Sequence, residues 1–198
     1  MAKVKVLIEG YAKETKEGWI ASSTTVLVQE KGLNIMVDPG INRELLLERL
    51  SKGGLKLEDI DFVLMTHFHP DHNYLSGIFP KAKSLDDELV YDGDKEYEHE
   101  GKVPGTNLKI IRTPGHEKSH SSLVVPTKRG TMVVAGDVFW WADEKKQDTS
   151  SLDVLLKQKD PYVKDKKALK ESRRKILKIA DWIVPGHGKI FKNPRLRK

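Results

Sequence analysis

Four residues able to hold a metal ion fall within six positions of this 198-residue chain, in the run His67-Phe68-His69-Pro70-Asp71-His72. Side chains alternate in extended backbone, so His67 and His69 point to the same side. The chain then turns, and Asp71 and His72 can face a second point nearby. One metal could take the two histidines before Pro70, and another the pair after it. Imidazole and carboxylate are ligands suited to zinc and to iron or manganese.

Three later segments share the design: Thr113-Pro114-Gly115-His116, Gly136-Asp137 and Pro185-Gly186-His187-Gly188. Each puts one ligand-type residue just past an apolar run, with a small residue before it. Ligands at strand ends sit on a rigid scaffold, and glycine lets backbone approach an ion closely. A lone Gly-Asp or Pro-Gly-His is only a turn. Four segments agreeing in order and context make a multi-part motif. His99, in the acidic run 92–100, reads as an ordinary polar residue.

These residues need strands to position them. Residues 4–8, 24–28 and 33–37 read as strands, with Asp38-Pro39-Gly40 ending the third. Residues 10–22, polar and holding the exposed-looking Trp19, read as a loop. Residues 42–52 form an amphipathic helix pattern that Gly53-Gly54 stops. Residues 62–65 are a continuous apolar run, the sign of a buried strand, directly before His67. Further short strands are expected at 82–85, 89–91, 108–112, 123–125, 132–135 and 182–184. Residues 139–162 are polar after an aromatic start, and 164–180 show a helix pattern. Strands with interspersed helices suit an α/β fold, two sheets covered by helices on the outside.

Composition narrows the chemistry. There is no cysteine, so neither disulfides nor thiolate ligands nor a cysteine nucleophile are available. The net charge of +6 comes mainly from scattered lysines with acids between them, a solvated surface more than a nucleic-acid footprint. The stretch 189–198 is the most basic. Abundant Lys and Glu without Cys suits a thermophile. No apolar run approaches the roughly 20 residues that span a bilayer, and the first residues lack a signal peptide's apolar core. A cytoplasmic location, no membrane contact and a single domain over residues 1–198 are the expectations.

The series His67-x-His69-x-Asp71-His72, then His116, Asp137 and His187, resembles the signature of the metallo-β-lactamase superfamily. Within it, Val6-Leu7-Ile8-Glu9-Gly10-Tyr11, Val134-Ala135-Gly136-Asp137-Val138-Phe139 and Ile183-Val184-Pro185-Gly186-His187-Gly188 resemble the metallo-β-lactamase-domain-containing protein 1 subgroup. The resemblance implies an αββα sandwich with the site along one edge of the two sheets. It implies one metal on His67, His69 and His116, a second on Asp71, His72 and His187, and Asp137 bridging both. Asp38 matches an acid that orients a ligand histidine. β-Lactamases of this family usually have cysteine where Asp137 stands. Flavodiiron proteins usually have an acid where His69 stands.

The resemblance thus implies a hydrolase with two divalent ions, zinc first, iron or manganese as alternatives. Two ions about 3.5–4 Å apart can share a water and supply hydroxide at neutral pH. The expected substrate is a small ester, thioester or lactone, with Asp71 relaying a proton. Trp19, His120, Phe139, Trp140 and Trp141 are candidate pocket residues. The alternatives are a phosphodiesterase or nuclease acting on RNA or DNA, discriminated by Lys and Arg around the metal mouth, and a metal-containing protein that only binds. No GxGxxG, P-loop or GxSxG motif competes. With no large added substrate domain, the substrate is expected to be small or accessible, or the pocket completed by a second copy in a homo-oligomer.

Overall fold

A computed structural model describes residues 1–196; of the basic stretch 189–198, the last two residues lie outside this range. In chain order the strands are β1 (Lys3–Ile8), β2 (Tyr11–Thr15), β3 (Gly18–Ser22), β4 (Thr25–Glu30) and β5 (Leu33–Val37). Helix α1 (Arg43–Lys52), β6 (Phe62–Leu64) and the short α2 (Pro70–Asn73) follow. Then come β7 (Lys83–Leu85), β8 (Leu89–Asp92), β9 (Lys95–Glu98), β10 (Lys109–Arg112), β11 (Ser121–Thr127) and β12 (Gly130–Trp140). Helices α3 (Leu152–Lys157) and α4 (Lys166–Ile179) precede β13 (Trp182–His187) and β14 (Phe191–Lys192).

One sheet has the order β1-β4-β5-β6-β7-β8-β9 and the other β10-β11-β12-β13-β14. A shared core joins them: Val26, Ile35, Val37 and Leu64 of the first pack with Leu123, Val125, Val134 and Val184 of the second. The outer faces need covering too, because these strands are apolar on both sides. Leu46 and Leu50 of α1 pack over Met36 and Val63 on one face. Leu155 of α3 and Leu169, Ile176 and Leu177 of α4 pack over Val133 and Ile183 on the other. The layers are helix, sheet, sheet, helix, as expected.

Caps set the helix ends. Asn42 Oδ1 accepts from the Leu45 amide at 3.1 Å, and Asp165 Oδ1 accepts from Lys167 and Ala168 at 2.9 Å each; each satisfies amides that a first turn leaves unpaired. Pairs β5–β6, β6–β7 and β12–β13 are parallel. The segment after β6 and the C-terminal parts of β12 and β13, which carry Asp137 and His187, lie at one edge, the usual place for a ligand in open α/β sheets.

Two expectations are corrected, and one strand is added. Residues 10–22 are a hairpin, β2 paired with β3 from Tyr11↔Ser22 to Thr15↔Gly18; Trp19 lies on its second strand. The acidic run contains β9, an exposed edge strand whose charges suit that position. The polar segment 139–162 contains α3 and begins inside β12, which runs five residues beyond the expected end.

Candidate metal centre

The seven candidate ligands meet at this edge, in two groups. His67, His69, His116 and Asp137 form one, and Asp71, His72 and His187 the other, with ligand atoms in each group within 4.8 Å of one another. Nε2 of His67 lies 3.0 Å from Nδ1 of His69, which lies 3.1 Å from Nε2 of His116. Asp137 stands between the groups. Its Oδ2 is 3.3 Å from His116 Nε2, while Oδ1 is 3.2 Å from His72 Nε2 and 3.8 Å from His187 Nε2. Asp71 Oδ2 lies 3.1 Å from His187 Nε2.

Close approach of backbone makes this packing feasible. A Cβ on Gly186 would lie 1.8 Å from Asp137 Oδ1, so only glycine fits there. Gly115, with φ of 135°, lies where a Cβ would meet the backbone of Leu169 in α4 at 2.2 Å, and so sets His116 against that helix.

The nitrogens facing away from the groups are each held. His72 Nδ1 lies 2.8 Å from Asp38 Oδ2, and His116 Nδ1 lies 2.8 Å from Asp160 Oδ2. His69 Nε2 lies 3.0 Å from Glu117 Oε1, His187 Nδ1 3.0 Å from the Tyr11 carbonyl, and His67 Nδ1 3.1 Å from Thr66 Oγ1. Asp38 also accepts from the Thr66 amide and hydroxyl at 2.8 and 2.7 Å. Such partners fix the ring orientation and tautomer of a metal-binding histidine. Asp38 occupies the position expected of it. Asp160, Glu117, Thr66 and the Tyr11 carbonyl were not expected; Thr66, directly before His67, is the one adjacent in sequence to the histidine it holds.

This donor set fits divalent cations. Ring nitrogens 3.0–3.1 Å apart, with their far nitrogens already committed, present lone pairs to a common point. Although 3.2 Å apart, His72 Nε2 and Asp137 Oδ1 are buried and neither makes a hydrogen bond of acceptable geometry to any group among the described residues, an arrangement that costs free energy unless a cation completes it. Burial and the neighbouring His72 hold His67 well below the ordinary imidazole range, which favours the neutral, ligating form. Burial alone would raise Asp137, but His72, His187 and His116 outweigh it and hold the carboxylate well below its usual range.

A cavity of about 400 Å³ opens onto the site. His69, Asp71, His116, Asp137 and His187 form its polar floor; Ala12, Ala21, Ile41 and Pro70 line one wall and Trp19, Trp140 and Tyr162 another. Trp19 stands edge-on to Trp140 and to Tyr162, with centroids 6.3 Å apart in both cases. Tyr162 was not among the candidates.

Three pocket expectations are corrected. Phe139 is fully buried against Phe191, and Trp141 also packs on Phe191 and faces a neighbouring depression. Only Trp140 of the trio reaches the cavity. The reason is an irregularity: Gly136 pairs with Pro185 and Trp140 with His187, so four steps of β12 match two of β13. His120 has no solvent exposure. It stacks behind His67 at 5.0 Å and bonds Thr113 Oγ1 through Nδ1 at 3.0 Å, with burial pushing it down to about 3. His99, as expected, plays a local part, bonding the Asp86 carbonyl.

Comparison with known proteins agrees with this geometry. The metallo-beta-lactamase superfamily model matches residues 18–107. Metallo-beta-lactamase domain-containing protein 1 of Xenopus laevis is 34% identical over 199 residues, covering 96% of this chain and 81% of that one. A probable metallo-hydrolase of Methanocaldococcus jannaschii is 30% identical over 154 residues, covering 77% and 69%. The crystal structure of a metallo-beta-lactamase family protein from Thermus thermophilus superposes with a TM-score of 0.65 at 18% identity, covering 98% and 76%. With a relative of the Xenopus protein's identity and extent, and with this fold, the chain belongs to the metallo-β-lactamase superfamily.

Proposed function

We propose that this metal-dependent hydrolase holds two divalent ions and cleaves small, uncharged esters, thioesters or lactones that carry an apolar group. The observation that carries the reading is the wall of the cavity: alanine, isoleucine, proline and aromatic rings surround a floor of imidazoles and carboxylates, and no Lys or Arg among the described residues lines it. An apolar acyl or alcohol group gains by leaving water against such a wall. A nucleic acid brings a phosphate every few ångströms and needs cations along its track. The adjoining depression is mixed in sign, with Lys16, Lys145 and Lys159 against Glu14 and Glu144. That balance favours the carboxyl-derived substrate over the phosphodiester.

His67, His69 and His116 would hold one ion, Asp71, His72 and His187 the other, with an oxygen of Asp137 toward each. Zinc is the first candidate, and a nitrogen and oxygen donor set also admits iron or manganese. When bound, such a pair supplies Lewis acidity and lowers the pKa of water. The chain's own groups do the rest. The aromatic wall orients the apolar part of the substrate over the floor. Asp71, a partly exposed residue of the cavity floor, is placed to pass a proton between the centre and solvent. Burial raises its carboxyl, but His187 and His72 outweigh that and leave it below the ordinary range, which suits a relay more than a strong base.

The test is metal content by elemental analysis of protein purified without added metal, beside Asp137→Ala, followed by hydrolysis assays. Near two metals per chain, falling in the variant, and cleavage of acyl esters, thioesters or lactones in preference to bis(nitrophenyl) phosphate and oligonucleotides are expected. No metal after reconstitution with zinc, iron or manganese, or cleavage of phosphodiesters alone, would sink the reading.

A further inference from the structure

We infer that Arg173 is a positioning residue for the metal centre, setting the strand that carries Asp137 against the loop whose Asp160 orients His116. The inference rests on the reading of His116 and Asp137 as ligands.

Arg173 lies on α4 and is 3% exposed. No carboxylate among the described residues lies within ion-pair distance of it. Burial pushes its guanidinium down to about 10, with the charge of Asp160 acting the other way. A buried cation without a direct counter-ion is costly, and an apolar residue would pack the same space more cheaply. What the guanidinium does there must come from its donors.

Those donors reach two separate carbonyls. Nε bonds Val138 at 3.0 Å and Nη1 bonds Gln158 at 2.6 Å. Val138 directly follows Asp137, inside the stretch where β12 departs from its register with β13. Gln158 stands two residues before Asp160, and its side-chain amide bonds the Trp140 carbonyl. Asp160 in turn holds His116 Nδ1 through Oδ2 and accepts from the Tyr162 amide at 2.9 Å through Oδ1. The guanidinium carbon also lies 5.8 Å from the Phe139 ring centroid, a cation–π contact that adds to its placement. One rigid fork thus ties the backbone next to Asp137 to the backbone two residues before Asp160. A lysine, a point donor on a flexible stem, cannot hold two carbonyls at a fixed separation.

The experiment is a cobalt(II) titration of wild type, Arg173→Met, Asp160→Asn and the double variant, followed by visible absorption. In parallel, the His116 Nδ1 proton is observed by NMR in the metal-free chains. Circular dichroism reports whether each variant is folded. In folded R173M, cobalt affinity at one site should fall about ten- to hundredfold, with an altered absorption spectrum. The His116 proton should exchange faster or shift. In the double variant the two losses should combine to less than their product, because part of the Arg173 effect runs through the Asp160 contact. If R173M does not fold, R173K carries the same comparison, with a smaller loss expected. A folded variant with wild-type affinity, spectrum and His116 signal overturns the inference, as do losses that multiply in the double variant. Wild type that binds no cobalt overturns the metal reading instead, and the His116 signal then still decides whether Arg173 governs the Asp160 contact.

Discussion

Asp38 grips His72 from behind: Oδ2 of the first lies 2.8 Å from Nδ1 of the second, and neither side chain is more than 2% exposed. The same carboxylate accepts both the amide and the hydroxyl of Thr66, so it faces three donors. Asp38→Asn would turn an NH₂ group toward at least one of them. Asn tolerates the positive φ of 48° found there, so the effect would not come from the backbone. We expect metal affinity to fall about ten- to hundredfold and stability by about 1–3 kcal/mol. Metal-binding titration and denaturant unfolding measure the two; wild-type values in both would refute the role given to Asp38.

Gly186→Ala should damage the centre without replacing a ligand. The added methyl would collide with Asp137 Oδ1. The carboxylate must then move, or the strand ends must part, at a cost of about 1–3 kcal/mol. Elemental analysis should find less metal than in wild type, and full metal content at an unchanged melting temperature would refute the steric account.

Trp19→Ala addresses the cavity wall. At 41% exposure the ring contributes little to the core, and stability should change by about 0.5 kcal/mol or less. Its loss removes a contact made equally in the bound substrate and the transition state, so KM should rise with kcat nearly unchanged. Steady-state kinetics with esters of increasing acyl length check this. The wild-type gain with chain length should flatten in the variant.

Metal removal should lower the melting temperature. At a free ion concentration of about a thousand times Kd, one bound ion stabilises the folded chain by about 4 kcal/mol. Chelation followed by a thermal scan should show the drop, and added zinc should reverse it. A melting temperature indifferent to chelator would contradict binding to the folded state.

The candidate ligands were legible because their chemistry is compact: four lie within six residues, and His116, Asp137 and His187 each follow an apolar run. Apart from Asp38, their supports were not. Asp160 contacts His116 across 44 residues and Glu117 contacts His69 across 48, and a carboxylate in a polar stretch looks like any solvated acid. The hairpin 11–22 escaped for a related reason. A ribbon with β3 largely exposed has no buried face to impose apolar alternation. Phe139 and Trp141 were misplaced because nearness to Asp137 in sequence does not set side-chain direction, which here depends on the break in the β12 register between Gly136 and Trp140.

The contact between His187 and the Tyr11 carbonyl spans 176 residues, and it joins the first hairpin to the last long strand. During synthesis the first group of ligands stays short of Asp137 until β12 has emerged, and the second lacks His187 until β13 has. With these seven residues as the ligands, metal capture would be a late event in the life of the nascent chain. A ribosome-stalled or truncated product ending before β13 would carry the whole HxHxDH run and still lack a place for the pair of ions.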